Sequence, residues 1–69
     1  MTPDTALDLC EELLDLLPTL PEEAGEFSQS VFEKTASIQS WIATHNEVTD
    51  KQAKALTNML KGAKRWARD

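Results

Sequence analysis

The first 33 of the 69 residues contain no lysine and no arginine, yet they contain nine acidic residues. Residues 34–69 contain seven basic and three acidic residues, so a net charge of −9 is followed by one of +4. The overall charge of −5 opposes a general attraction to nucleic acid. Two interpretations stay open: two faces with different electrostatic partners, or helices of opposite charge packed side by side.

Cysteine and histidine are scarce, with one residue of each. Cys10 cannot form an internal disulfide, and no group of cysteines and histidines has zinc-ligand spacing, so we expect no metal and no cofactor. The chain lacks a signal segment and an apolar run of about 18 residues, which predicts neither secretion nor a membrane span. These absences favour a cytoplasmic protein in a reducing compartment.

The length predicts a single domain, residues 1–69, with a small core. Such a core supplies only a few kcal/mol of net stability unless a disulfide, a metal or a second subunit supports it. Neither a disulfide nor a zinc site is expected here, so a homodimer is a candidate assembly. At 41% apolar and 28% charged residues, the composition is that of a folded protein rather than a disordered tail.

Residues 3–17 predict a first amphipathic helix, which Thr2 caps, Pro3 opens and Pro18 ends. Apolar residues fill about half of its circumference. They are Ala6, Leu7, Leu9, Cys10, Leu13, Leu14, Leu16 and Leu17. The opposite arc is an acidic face that consists of Asp8, Glu11, Glu12 and Asp15.

Residues 22–45 predict a second helix that begins near Pro21 and ends near Asn46, a candidate left-handed residue. Its apolar face consists of Phe27, Val31, Thr35, Ile38 and Ile42, flanked by Phe32 and Trp41. Residues 50–67 predict a third helix with a capping box, in which Thr49 and Gln52 bond reciprocally. Because the links are short, the three helices predict an all-α fold, a small antiparallel three-helix bundle.

Partner binding by helix 1 is one hypothesis, since its apolar arc is wider than two short neighbouring helices need. The candidate residues are Leu7, Leu9, Leu14 and Leu16, with Trp41 and Trp66 at the edges of the other apolar arcs. Edge tryptophans are typical both of bundle seams and of partner anchors, and both interpretations stay open. The acidic face is either a solvated surface or an ordered negative field that imitates nucleic acid.

The third helix carries cations on the side opposite its apolar face. The candidate phosphate-binding residues are Lys54, Lys61, Arg65 and Arg68. Trp66 lies nearby and is a candidate for base stacking, although its position beside Met59 and Ala63 favours the core.

Catalytic chemistry has little support in the sequence. Cys10 lies within an apolar arc, and His45 lies near a helix end without a triad partner. The carboxylate pairs Glu11/Asp15 and Glu22/Glu26 share a helical spacing but have no histidine on the same face. We therefore expect no catalytic residue and no enzyme activity.

The C-terminal half resembles short helical modules of uncharacterised bacterial and phage proteins. The resemblance covers residues 38–66 and rests on Ser40-Trp41-Ile42, Val48-Thr49-Asp50-Lys51-Gln52, Ala55-Leu56, Asn58-Met59, Gly62 and Trp66. It implies a role connected with DNA processing or phage functions. Only Gln52 is carried over from it, in the capping role that the spacing already predicts.

Taken together, these patterns predict a small non-enzymatic intracellular protein–protein interaction module. A bacterial or phage accessory or regulatory role follows from the resemblance. The alternatives are a nucleic-acid-associated protein that uses the basic face of helix 3, and an acidic DNA-mimic inhibitor that uses helix 1.

Overall fold

A computed structural model describes residues 1–67 of the chain and contains three α-helices: α1 (Pro3–Leu16), α2 (Gly25–His45) and α3 (Asp50–Ala67). Two short 3₁₀ turns, Leu17–Thr19 and Glu22–Ala24, join α1 to α2. Residues 1–67 form no β-strand. The predicted all-α three-helix bundle is confirmed. The candidate phosphate ligand Arg68 lies outside the described residues.

The helices alternate in direction. The Ser28 hydroxyl at the start of α2 donates to the carbonyl of Leu17, just after α1, at 3.4 Å. The ring of Phe27, also near the start of α2, lies 6.5 Å from that of Trp66 near the end of α3. The start of α2 therefore lies beside the C-terminal ends of both α1 and α3, so α2 runs antiparallel to these two helices.

The first helix ends one residue earlier than predicted. Thr2 caps its start by accepting from the Thr5 backbone N–H at 3.2 Å, and Pro3 is the first helical residue. At the other end, residues Leu17–Thr19 tighten into a 3₁₀ turn instead of continuing the α-helix. Pro18 explains the change because it has no N–H for an α-helical bond to the carbonyl four residues before it.

The second helix begins three residues later than predicted. Residues Glu22–Ala24 form a separate 3₁₀ turn, and the α-helix starts at Gly25 without a side-chain cap. The tighter turn is a common way for a helix entry to satisfy its backbone when no capping side chain is present. At the far end, Asn46 adopts the predicted left-handed conformation, with φ 53° and ψ 38°.

The third helix begins with the two predicted capping bonds. The Thr49 backbone N–H donates to Gln52 Oε1 at 3.0 Å, and the Gln52 N–H donates to Thr49 Oγ1 at 3.1 Å. This reciprocal arrangement satisfies two backbone donors that the helix itself leaves free. It sets the position where the basic helix begins.

The core lies between the inward faces of the three helices. Its largest fully buried side chains are Leu13, Ile42, Leu56, Thr35 and Cys10. Thr35 is the buried polar residue of this set, and its hydroxyl oxygen has no hydrogen-bond partner among the described residues. None of the helices in residues 1–67 has the length and apolar character that crossing a membrane requires.

Candidate interaction surface

The outward face of α1 is a continuous acidic stripe. It consists of Asp4, Asp8, Glu11 and Asp15, which follow one another at intervals of three or four residues. All four side chains are exposed. Glu12, which the sequence analysis placed in the acidic face, instead lies toward α3, where its Oε1 is 3.7 Å from Lys64 Nζ.

The outward face of α3 is a basic stripe with the same helical spacing. It consists of Lys54, Asn58, Lys61 and Arg65, all of which are exposed. Three of the four candidate phosphate-binding residues therefore share one face, and the fourth, Arg68, lies beyond the described residues. Nucleic-acid binding by this stripe stays a prediction.

Internal pairing accounts for little of the charge sorting. Within residues 1–67 a single salt bridge is present, between Glu12 and Lys64, and both side chains are at least half exposed. An exposed pair of this kind contributes about 0–1 kcal/mol. The remaining eight carboxylates of residues 1–33 lie exposed on the surface without such a partner among the described residues.

An open depression of about 340 Å³ lies beside that salt bridge, between α1 and α3. Its lining consists of Glu12, Asp15, Leu16, Thr19 and Lys64. It presents exposed charged groups and the hydroxyl of Thr19, whose proton is donated to the Leu16 carbonyl at 2.6 Å. The Thr19 hydroxyl therefore donates its proton to the backbone rather than to the carboxylate of Glu12 or Asp15.

The four candidate leucines of α1 divide between its two flanks. Leu9 and Leu16 lie on the side of Glu12, toward α3, whereas Leu7 and Leu14 lie on the side toward α2. Leu7, Leu9 and Leu16 are half-buried and pack against the core, so much of the wide apolar arc is covered within the chain. Leu14 is half-buried but lies outside that packed set.

The two tryptophans occupy different surroundings, and each is half-buried. Trp41 packs against the core and stacks on His45, with ring centroids 4.1 Å apart, while His45 Nδ1 lies 2.9 Å from the Trp41 carbonyl oxygen. Trp66 lies beside Phe27. Whether either tryptophan also contacts a partner stays a prediction.

Gly62 allows α2 and α3 to approach closely. A Cβ atom at this position would lie 3.0 Å from Cζ and 3.1 Å from Cε2 of Phe27. The Phe27 ring therefore occupies the space that any other residue at position 62 would need. This contact places Phe27 against Trp66, one turn further along α3.

The thiol of Cys10 is fully buried, and this burial raises its pKa above the ordinary value. A raised pKa keeps the thiol protonated, which disfavours attack on a substrate or binding of a metal. Residues 1–67 contain no group of three or more metal-binding side chains.

Sequence analysis missed the most exposed aromatic residue. Phe32 was placed at the border of the apolar face of helix 2, but the structure leaves 51% of it exposed. The available signal was its position on the helical wheel, about 100° from the centre of the apolar face of helix 2 at 100° per residue. No family model, curated protein or solved structure matches this chain, and the resemblance of residues 38–66 to bacterial and phage modules stays a prediction.

Proposed function

We propose that this chain is a small non-enzymatic, intracellular protein–protein interaction module whose acidic surface on α1 and α2 binds its partner. The supporting observation is that the acidic side chains are exposed and that few of them form salt bridges within residues 1–67. Residues 1–33 carry nine of them, all exposed, and one has a cation within 4.0 Å among residues 1–67. If the charges were separated along the chain only to hold the helices together, α3 would form several salt bridges with α1 and α2.

An ordered negative surface on a rigid helix favours a partner of opposite charge, because complementary potentials accelerate encounter and exclude wrong partners. The acidic stripe rises along three turns of α1, so its carboxylates are held at fixed spacing. A cytoplasmic protein of bacterial or phage origin with an accessory or regulatory role is the setting that we propose for this binding.

The alternative is a nucleic-acid-associated protein that uses the basic stripe of α3. It is favoured by the alignment of Lys54, Lys61 and Arg65 on one exposed face. Titration of single- and double-stranded oligonucleotides at ~50 mM salt tests it, and binding should weaken by roughly one unit of log slope for each lost phosphate contact. A DNA-mimic inhibitor, the third candidate, would use the acidic stripe of α1 against a nucleic-acid enzyme.

Affinity capture from a cell extract with and without nuclease separates these functions. The tagged full chain should retain one specific protein after nuclease treatment. Recovery that disappears with nuclease, together with oligonucleotide binding, would place the alternative first. Replacing Asp8, Glu11 and Asp15 by Asn, Gln and Asn should abolish the capture, whereas the matched change of Lys54, Lys61 and Arg65 to Gln should not.

The homodimer stays a prediction, and it is tested by measuring self-association rather than by affinity capture. Sedimentation at micromolar concentration should show whether the chain associates with itself, and a strict monomer would remove the dimer from the proposal. The packing of Leu7, Leu9 and Leu16 on the chain's own core reduces the apolar area that such a dimer has to cover.

A further inference from the structure

The junction of α1 and α2 carries a strip of apolar side chains that are not fully buried in the core. The Ser28–Leu17 hydrogen bond sets the antiparallel register of the two helices. Counting one turn inward from that bond along both antiparallel helices, we expect Phe32 of α2 to lie beside Leu14 of α1. Phe32 is 51% exposed, and Leu14 lies outside the set that packs on the core.

The strip continues along the seam between the two helices, where we expect a shallow groove because two packed cylinders leave a furrow along their outer seam. On α2, Ala36 and Ala43 follow Phe32 on the same flank. On α1, Leu7 lies two turns before Leu14; it is half-buried and, unlike Leu14, also packs against the core. We name the surface formed by Leu7, Leu14, Phe32, Ala36 and Ala43 the Phe32 groove. From Phe32 to Ala43 it extends about 16 Å, the length of about three helical turns.

The borders of the Phe32 groove are acidic. Asp4 and Glu11 line its α1 side, and Glu33 lines its α2 side; all three are exposed. Lys34, the cation on α2, falls on the opposite flank with Phe27 and Trp41. Among the described residues, both borders are therefore free of lysine and arginine, and a cationic occupant is favoured.

A second copy of this chain is a poor occupant. Its cationic helix α3 presents Lys54, Lys61 and Arg65 outward, but its Leu56 and Ala63 are fully buried in its own core. The other large apolar residues of α3, Met59, Leu60 and Trp66, are half-buried, so α3 would bring positive charge without a fully exposed apolar stripe to fill the groove. The occupant needs both features on one element.

We infer that the Phe32 groove binds a cationic amphipathic helix of another protein, with Phe32 as the apolar anchor and Glu11 and Glu33 facing its lysines or arginines. Helix-in-groove recognition of this type uses apolar side chains at i, i+3, i+4 and i+7. The inference rests on the proposed protein-binding function and names the partner's chemistry.

The test is a titration of the ¹⁵N-labelled full chain with a synthetic helical peptide of about 18 residues, long enough to hold a helix when bound. The peptide carries leucines along one face and lysines on the other, and a shuffled peptide of equal composition is its control. We expect micromolar binding, with amide shifts concentrated at Leu14, Phe32 and Ala36 rather than along α3. Phe32→Ser should weaken binding at least ~10-fold.

Matched variants separate the anchor from the charges. Glu33→Gln should weaken binding about 3-fold at low salt, whereas Glu47→Gln removes the same charge from the α2–α3 link and should change nothing. If Phe32→Ser loses its fold by circular dichroism, Ala43→Arg serves instead, because Ala43 is exposed and an arginine there blocks the groove with a like charge for the peptide.

Three results would overturn the inference: no binding of the peptide up to ~1 mM, shifts confined to α3, or equal affinity of the parent chain and Phe32→Ser. A parent dimer that Phe32→Ser converts to a monomer would assign the groove to a second copy and overturn it as well. If nuclease-resistant capture of a protein persists in any of these cases, the proposed function stands and only the groove assignment fails.

Discussion

The two charged surfaces of this bundle share a geometry but differ in what lies beside the charge. The acidic stripe of α1 and the basic stripe of α3 use the same helical spacing on parallel helices. Beside the acidic stripe lies the half-exposed Phe32, whereas the apolar residues Leu56 and Ala63 of α3 are fully buried. The acidic surface therefore has an exposed aromatic side chain close to its charges, whereas the apolar residues of α3 between Leu56 and Trp66 are buried or half-buried.

The comparison depends first on the core that holds both surfaces. Leu13 is fully buried, so Leu13→Ala should lower the free energy of unfolding by about 2–5 kcal/mol, through lost burial and the cavity left behind. Urea denaturation measures the change. Phe32→Ala, which removes a half-exposed side chain, should cost less than about 1 kcal/mol. Equal costs for the two variants would mean that Phe32 belongs to the core and that the acidic surface has no free apolar area.

The second prediction concerns the close approach of the basic helix α3 to α2 at Gly62. Gly62→Val should lower the free energy of unfolding by about 1–3 kcal/mol, because its side chain overlaps the Phe27 ring. Thermal unfolding followed by tryptophan fluorescence also reports the displacement of Phe27 from Trp66. Gly25→Val is the matched control, since a Cβ there meets nothing within 4 Å. A Gly62→Val chain as stable as Gly25→Val would contradict the close approach of α2 and α3.

The third prediction strengthens the shared core without touching either surface. Thr35→Val should raise the free energy of unfolding by about 1 kcal/mol, because it replaces a buried hydroxyl that has no partner by a methyl group of similar size. Denaturant midpoints measure the gain. Thr57→Val is the control, since the Thr57 hydroxyl is exposed and donates to the Ala53 carbonyl at 2.9 Å. A loss of stability in Thr35→Val would reveal a bonding partner for the hydroxyl.

The smallest predicted effect concerns the one salt bridge that joins the acidic and the basic helix within residues 1–67. Lys64→Met should lower the free energy of unfolding by no more than about 0.5 kcal/mol, since the pair with Glu12 is exposed to solvent. The difference should vanish at high salt. A double-mutant cycle with Glu12→Gln isolates the pair, and Lys54→Met on the outward stripe is the control. A coupling above about 1 kcal/mol would favour the second origin of the charge sorting, helices of opposite sign held together by attraction.

Local signals predicted most of the backbone. The caps formed by Thr2, Thr49 and Gln52, and the left-handed Asn46, follow from residue types at fixed spacing and are present in the structure. The two differences lie around Pro18 and Gly25, where short 3₁₀ turns replace the ends of the predicted helices. Their cause is local as well, but several backbone conformations of similar energy satisfy a link that is short and rich in proline.

The sequence alone determined the three helices, their inward faces and the division of charge, because these depend on periodicity and on interactions within one turn. Tertiary structure alone decided which flank of each helix meets which neighbour. It turned Glu12 toward Lys64, seated Phe27 on Gly62 and left Phe32 at the surface. A helical wheel ranks residues by their angle from the core, but the amount of a flanking side chain that is covered depends on the register and separation of two packed helices.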